Sequence, residues 1–402
     1  MTRRPLVAAV LASLAVTVAI AVAVWRPAAP GPAGAVAAST ADEGATPLPV
    51  PIPGHEVYGY VPYWEMDGGI AAHLADTDLT TLGLFSVTHK KSGALAKNER
   101  GYKAIIGEVG RQLTREAHDR GVRVELVYTS FGESKNAAFF ADSAAQDRTI
   151  SELVGLANDL GVDGINVDVE LLDLEDVPAY GTFVGRLRTA FRADDDGRSV
   201  SVATGAGVRG TAMAAAAATA GADRVFLMGY DYHTAGSEPG ASAPLARRDG
   251  SEKDLTWSLD LYRAAGVPAE RTILGLPLYG IVWPTEGPQA GAGATGRGEV
   301  WVPRRNLATL DDPSHAPVFD PIESVEILAI PNGDGWQSVY FDSAASLSPK
   351  LGLANERGLA GAGFWAIGYE RGLPEYTELI AAFRAGDRMP PVPTNAANPA
   401  VP

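Results

Sequence analysis

The stretch VDGINVDVELL, residues 162–172, decides the fold. Apolar and polar side chains alternate along it, so a period of two sends Asn166, Asp168 and Glu170 to one face and Ile165, Val167 and Val169 to the other. Successive members of the polar face stand about 6.5–7 Å apart. In an antiparallel sheet such a strand would simply turn its polar face to water. Here it lies between segments of helical periodicity, and a parallel strand covered on both faces normally carries apolar residues on both. Three polar side chains then need a chemical reason. Carboxylates this close in a partly dry setting repel one another, so one holds its proton above the usual range and its neighbour stays charged. A calcium loop is excluded, because Val167 stands where a ligand is required and Asp168 where the turn glycine belongs.

The same rhythm extends through most of the chain. Short apolar runs recur at EVYGYVPYW (56–64), TLGLFSVT (81–88), VRVELVYTS (122–130), DGINVDVEL (163–171), SVSVATGAG (199–207), RVFLMGYDY (224–232), RTILGLPLYG (271–280) and GAGFWAIGY (361–369). Each has the length and the β-branched or aromatic content of a buried strand. Amphipathic segments such as YKAIIGEVGRQLTREAHDRG (102–121) and TISELVGLANDLG (149–161) fill the intervals, with Gly at the C-terminal end. Strands alternating with helices predict a parallel α/β architecture. Residues 284–345 break the pattern: GPQAGAGATGRGE, VWVPRRN and Asn332-Gly333 ahead of WQSVYFD predict a small β-rich insertion with a hairpin, between the seventh and eighth strands. Such an excursion from a strand's C-terminal end lands beside the active face of a barrel.

Composition narrows the function. With a formal charge of −15 and no basic block beyond the extreme N-terminus, nucleic acid is excluded as a partner. The absence of cysteine removes disulfides, thiolate metal sites and a cysteine nucleophile. The histidines show no paired metal spacing, so no metal or other cofactor is expected. Arg3 and Arg4 precede an apolar run from Pro5 to Trp25, followed by Arg26 and a Pro/Ala/Gly-rich stretch. Residues 1–53 therefore read as an export signal plus linker, with an uncleaved membrane tether through residues 5–25 as the alternative. Ala35-Val36-Ala37 offers a cleavage pattern, and the positive flank places the remainder outside the cytoplasm, extracellular or at the cell surface. Residues 54–386 form the expected catalytic domain, taken as a monomer, and 387–402 a disordered Pro-rich tail.

At this level the sequence resembles a known family. Asp163-Gly164-Ile165-Asn166-Val167-Asp168-Val169-Glu170 is similar to the DGxDxDxE signature of glycoside hydrolase family 18, the chitinase family, and the resemblance runs from about Tyr58 to Ala382. Other motifs agree: GYVPYW on the first strand, Ser130 in YTSFG on the third, Met228, Tyr230 and Asp231 in MGYDY on the sixth, GLPLYG on the seventh, then YFDSAASLSPK and GFWAIG with Trp365. The resemblance implies a (β/α)8 TIM barrel with the signature on strand four. It also implies a retaining hydrolase of β-1,4-linked N-acetylglucosamine polymers, chitin or peptidoglycan, in which the substrate's own acetamide is the nucleophile.

Roles carry over as the resemblance implies them. Glu170 is the general acid, Asp168 orients the acetamide while ionised, and Tyr230 donates to the same group. Asp231 and Met228 lie in the sugar site, Trp365 forms its apolar floor, and Tyr60 and Ser130 hold the inner member of the triad. Taken singly, Trp365, Tyr60 and Tyr230 are ordinary core aromatics, Asp231 a cap, and Asp163 the former of a turn. Two positions depart from the pattern. Asn166 replaces the usual middle Asp, as in a branch resembling bacterial spore-cortex and cell-wall lytic members, and is expected to donate a hydrogen bond to Asp168. Glu133 stands where a second glycine is usual. The rival from another class is a non-catalytic sugar-binding protein on the same barrel, against which the retained Glu170 argues.

Overall fold

The computed structural model describes residues 54–193 and 195–389. The expected signal or anchor and its linker, and the tail from residue 390, lie outside the described residues. Seven strands alternate with helices: β1 (Glu56–Pro62), β2 (Thr81–Thr88), β3 (Arg123–Phe131), β4 (Gly164–Glu170), β5 (Ser199–Gly205), β6 (Arg224–Met228) and β7 (Thr272–Pro277). Then come β8 (Gly280–Thr285), β9 (Glu299–Trp301), β10 (Val318–Asp320), β11 (Val325–Asn332) and β12 (Gly335–Phe341), before β13 (Gly361–Trp365). The strand β13 lies between β7 and β1 and closes a barrel in the order β1-β13-β7-β6-β5-β4-β3-β2, every pair parallel. This is the (β/α)8 barrel that the family resemblance implies, with the parallel α/β order that the alternation predicts.

Closure gives the period-two pattern its meaning. Register aligns Asn166 with Val127 and Ser201, and Asp168 with Thr129 and Ala203; residues level in neighbouring strands point to the same side. Val127 and Ala203 pack with Tyr58, Tyr60, Phe85, Phe226 and Ile273 as an inner cluster. Ile165, Val167 and Val169 belong instead to the larger core between strands and helices. The interior is filled chiefly by rings, and Phe226 fits because Gly275 has no Cβ, which would stand 2.2 Å from that ring.

The helix Ser143–Leu160 delivers the chain to β4. Asp142 caps it by accepting from the Ala145 N–H at 3.0 Å, and Gly161 ends it in the left-handed conformation at φ 68°. The single helix expected over 102–121 is two, Arg100–Ile106 and Glu108–Asp119, because Gly107 adopts an extended conformation between them.

The insertion folds as a five-stranded sheet, β10-β11-β12-β8-β9. Its hairpin pairs Asn332 with Gly335 across Gly333, whose φ is 60°. The sheet starts at Gly280 and ends at Phe341, earlier at both ends than the expected 284–345, since GIVWPT runs on as a strand paired with β12 and Ala344–Glu356 is helix. Ion pairs tie it to the barrel: buried Glu65, just beyond β1, meets Arg304 at 2.7 Å and Arg305 at 3.4 Å from the insertion, and also Arg371, which follows β13, at 2.9 Å.

A second buried ion pair anchors the helix after the insertion. Lys350 pairs with Asp342, which also accepts from Ser346 Oγ at 2.7 Å. Lys350→Met strands the Asp342 charge and is expected to lower unfolding free energy by roughly 3–5 kcal/mol, while Lys350→Met/Asp342→Leu recovers most of the loss. Urea melts of the three proteins check this, and equal midpoints would show that the pair is not coupled to the fold.

Candidate active site

The site lies at the C-terminal mouth of the barrel. Along β4, Asn166 is fully buried, Asp168 is 5% exposed and Glu170 reaches the open rim. The chain turns sharply after the acid, since Leu171 has φ 58°, a left-handed conformation unusual for a leucine. The Glu170 carbonyl accepts from the Gly132 N–H at 3.2 Å and from Asn136 Nδ2 at 2.6 Å. Asn136 is in turn fixed by Ser130 Oγ, which donates to its Oδ1 at 2.6 Å. Ser130 therefore does not hold Asn166 as expected. It is level with Val169, so it faces outward to the helix Glu133–Phe140 and steadies the backbone of the acid. Glu133, the departure from the glycine pattern, is the first residue of that helix, and Gly132 alone makes the turn at φ 104°.

Asn166 is held from two sides. Tyr60 OH donates to Oδ1 at 3.2 Å, and Nδ2 donates to Ser201 Oγ at 2.7 Å. The expected bond from Asn166 to Asp168 is absent, because Ser201 lies level with the amide while Asp168 lies one layer above it. Asp168 Oδ1 is consequently buried with no hydrogen-bond partner. Asp163 sits beyond the other end of the strand, where Oδ2 accepts from the Val124 N–H at 2.7 Å and bonds His118 Nε2 at 2.8 Å. That is a joint between strands, distant from the mouth.

Aromatic rings pave the space around the acids. Trp365, at the end of β13, lies 5.7 Å from Tyr60 and 4.6 Å from Phe85, centroid to centroid. Met228, Tyr230 and Trp365 all pack against the inner cluster. Tyr230 also meets Tyr279 edge-on at 6.2 Å, and Tyr279 OH donates to Asp231 Oδ1 at 2.5 Å. Asp231 has φ 63°, held by its own N–H donating to Ser242 Oγ at 3.0 Å. The geometry thus gathers Tyr60, Asn166, Asp168, Glu170, Met228, Tyr230, Asp231 and Trp365, and leaves Asp163 and Ser130 outside. At the mouth Trp64 and Phe131 are 42% and 44% exposed, apolar surface of the kind a bound ligand covers.

Electrostatics correct one expectation. Burial, and then the charge of Glu170, push the Asp168 carboxyl well above the usual range. Glu170 is also raised, by burial and then by Asp231. Burial raises Asp231 as well, and the Tyr279 hydrogen bond partly opposes this. Asp168, expected to be the permanently ionised partner, is the deeper carboxyl, has no donor on Oδ1, and is raised by burial and by the Glu170 charge in the free protein.

Sequence reasoning missed Asn136, Ser201, Tyr279 and Glu125. Glu125 had a signal, a charge inside the apolar run VRVELVYTS; the other three make their contacts across strands and helices, with no local pattern. Among the described residues no group of His, Cys, Asp or Glu has the arrangement of a metal site.

Fold and site together define a (β/α)8 barrel with a carboxylate pair at the end of its fourth strand. Residues 56–370 match the model for glycosyl hydrolases family 18, and the chain belongs to that family. It is similar to the cortical fragment-lytic enzyme of Bacillus anthracis, with 24% identity over 72% of this chain and 65% of that one, just under two thirds of the relative's length. Among solved structures, the Bacillus cereus spore cortex-lytic enzyme SleL superposes with a TM-score of 0.66 at 20% identity, over 82% of this chain and 74% of that one. The group IV chitinase of Ostrinia furnacalis gives 0.71 at 19%, over 82% and 100%. These likenesses establish the barrel.

Because Asp231 is the charge that raises Glu170 most, Asp231→Asn is expected to move the Glu170 titration downward while leaving Asp168 high. Carboxyl 13C NMR checks this. An unmoved Glu170 would mean that the two carboxylates do not feel each other.

Proposed function

We propose that the protein is an exported, retaining glycoside hydrolase that cleaves β-1,4-linked N-acetylglucosamine-containing polymers, chitin or peptidoglycan, by substrate-assisted catalysis. The observation that carries the proposal is the buried, partnerless Asp168 Oδ1 beside a protonatable Glu170, over an aromatic floor. An acetamido sugar suits that space: its C–H face packs on Trp365, and its N–H supplies the donor that Asp168 lacks.

In this reading Glu170 gives its proton to the glycosidic oxygen as the C1–O bond breaks. The acetamide oxygen closes on C1 from the opposite face, forming a cyclic oxazolinium. Asp168 takes the hydrogen bond from the acetamide nitrogen and neutralises the positive charge, while Tyr230, packed beside it, donates to the acetamide oxygen. Water then attacks C1 from the face the leaving group vacated and returns a proton to Glu170, so the configuration is retained. Asp231 binds the distorted sugar, and Met228 completes the wall beside it. Tyr60 holds the Asn166 amide in the layer below Asp168. No metal or cofactor enters any step. A monomer acting on a polymer outside the cytoplasm, by way of the N-terminal segment, completes the proposal.

The proton held above the usual carboxyl range sets the pH dependence. Glu170 stays protonated to higher pH than a free carboxyl, so turnover is lost as pH rises through its raised value and the proton for the leaving group disappears. On the acid side the loss is of the anion that balances the cyclic cation. A bell with an acidic optimum is expected on chitooligosaccharides and purified peptidoglycan. Glu170→Gln should lower kcat by roughly 10²–10⁴-fold with the fold intact by circular dichroism, and Asp168→Ala should do likewise. Inversion at C1 by NMR would refute the substrate-assisted scheme. Binding without turnover in wild type and variant alike would make the protein a sugar-binding one.

A further inference from the structure

Beneath the acid pair lies another buried carboxyl that the reaction does not use. Glu125, 2% exposed, projects from β3 into the barrel, level with Gly164. Room is made for it on β4, since a Cβ at Gly164 would stand 2.7 Å from Glu125 Cγ and 2.5 Å from Ser199 Oγ. Its oxygens receive hydroxyl donors from two other strands: Ser199 Oγ at 2.9 Å on Oε1, Tyr58 OH at 3.0 Å on Oε2, and Ser201 Oγ, also on Oε2.

The chain of bonds continues upward and has a direction. The single hydroxyl proton of Ser201 is committed to Glu125, so its lone pair accepts from Asn166 Nδ2 at 2.7 Å. That fixes which way the Asn166 amide faces, and Oδ1 is left to accept from Tyr60 OH at 3.2 Å. Asn166 thereby has no N–H directed at Asp168 in the layer above. The charged and titratable groups facing Glu125 are Tyr58 and Tyr60 on β1, Arg123 on its own strand, Arg224 on β6, which is paired with Glu56 on β1, and Asp168 two layers above on β4.

We propose that Glu125 is a positioning residue for the acid pair: acting through the Ser201 hydroxyl, its carboxyl holds the Asn166 amide away from Asp168 and keeps Asp168 Oδ1 open for the substrate. The proposal rests on the reading of Asp168 and Glu170 as the reacting pair. It also gives the amide at position 166 a physical setting, because the barrel keeps a further carboxyl one relay lower, on the neighbouring strand.

Ser201→Ala removes one hydroxyl and Glu125→Gln keeps the shape of the side chain, so either variant frees the Asn166 amide to turn toward Asp168. Carboxyl 13C NMR on the full-length protein reads the consequence without needing turnover. The Asp168 titration is expected to fall by about half a pH unit or more in each variant, as a new donor favours its ionised form. On chitooligosaccharides, kcat should drop about tenfold with KM within about twofold, the acid limb of the profile moving down, and the double variant should be no worse than either single one. An unmoved Asp168 titration in folded Ser201→Ala overturns the proposal, as does full additivity in the double variant. Should Glu125→Gln fail to fold, Ser201→Ala still decides. If the wild type turns over none of these polymers the proposed function falls, and the titration alone then judges the relay.

Discussion

Everything at the site depends on an alternating polar strand being forced to point inward by barrel closure. In an open sheet the polar face of β4 would meet water, and its carboxyls would titrate as free acids. Closure between β1 and β13 removes that escape. Asn166 and Asp168 then face an interior of Tyr58, Tyr60, Phe85 and Phe226, where a charge is poorly solvated. The cost of holding a carboxyl there is what keeps a proton at the mouth of the barrel.

The interior is organised in layers that treat polarity differently. The lowest places Glu125 among three hydroxyls, and the middle one satisfies both ends of the Asn166 amide. In the layer above, Asp168 Oδ1 has nothing. Satisfaction thus stops just below the mouth, where a ligand would arrive. A buried acceptor without a partner costs on the order of 1–3 kcal/mol in the free protein, and that is the free energy a matching donor recovers on binding.

Strain and clamping are concentrated at the same height. Leu171 and Asp231, both left-handed at φ 58° and 63°, follow the ends of β4 and β6. Each is tied down: Glu170 through its carbonyl to Gly132 and Asn136, and Asp231 through Ser242 and Tyr279. The β-rich insertion is bound to the rim through Glu65 and its arginines, while Tyr369 OH accepts from Trp64 Nε1 at 3.1 Å beside them. Reacting groups are thereby fixed by rigid elements, as a preorganised site requires.

The sequence by itself determined the periodicities and hence the architecture: eight apolar runs, helical intervals, an Asn-Gly hairpin, and one strand whose polar face carries two acids. Local chemistry sets those patterns, so Asp168 and Glu170 were legible as site candidates on β4, while Tyr230 and Trp365 were named through the family resemblance. Tertiary structure decided what each polar atom touches. Ser130 faces outward because it is level with Val169, and Asn166 bonds Ser201 rather than Asp168 because the register of β5 puts that serine beside it. Glu125 and Tyr279 gain their partners from strands far away in the chain. Proton affinities follow from burial and neighbours, which exist only once the strands have closed, and so both acids of β4 are raised by a desolvation that no local pattern displays.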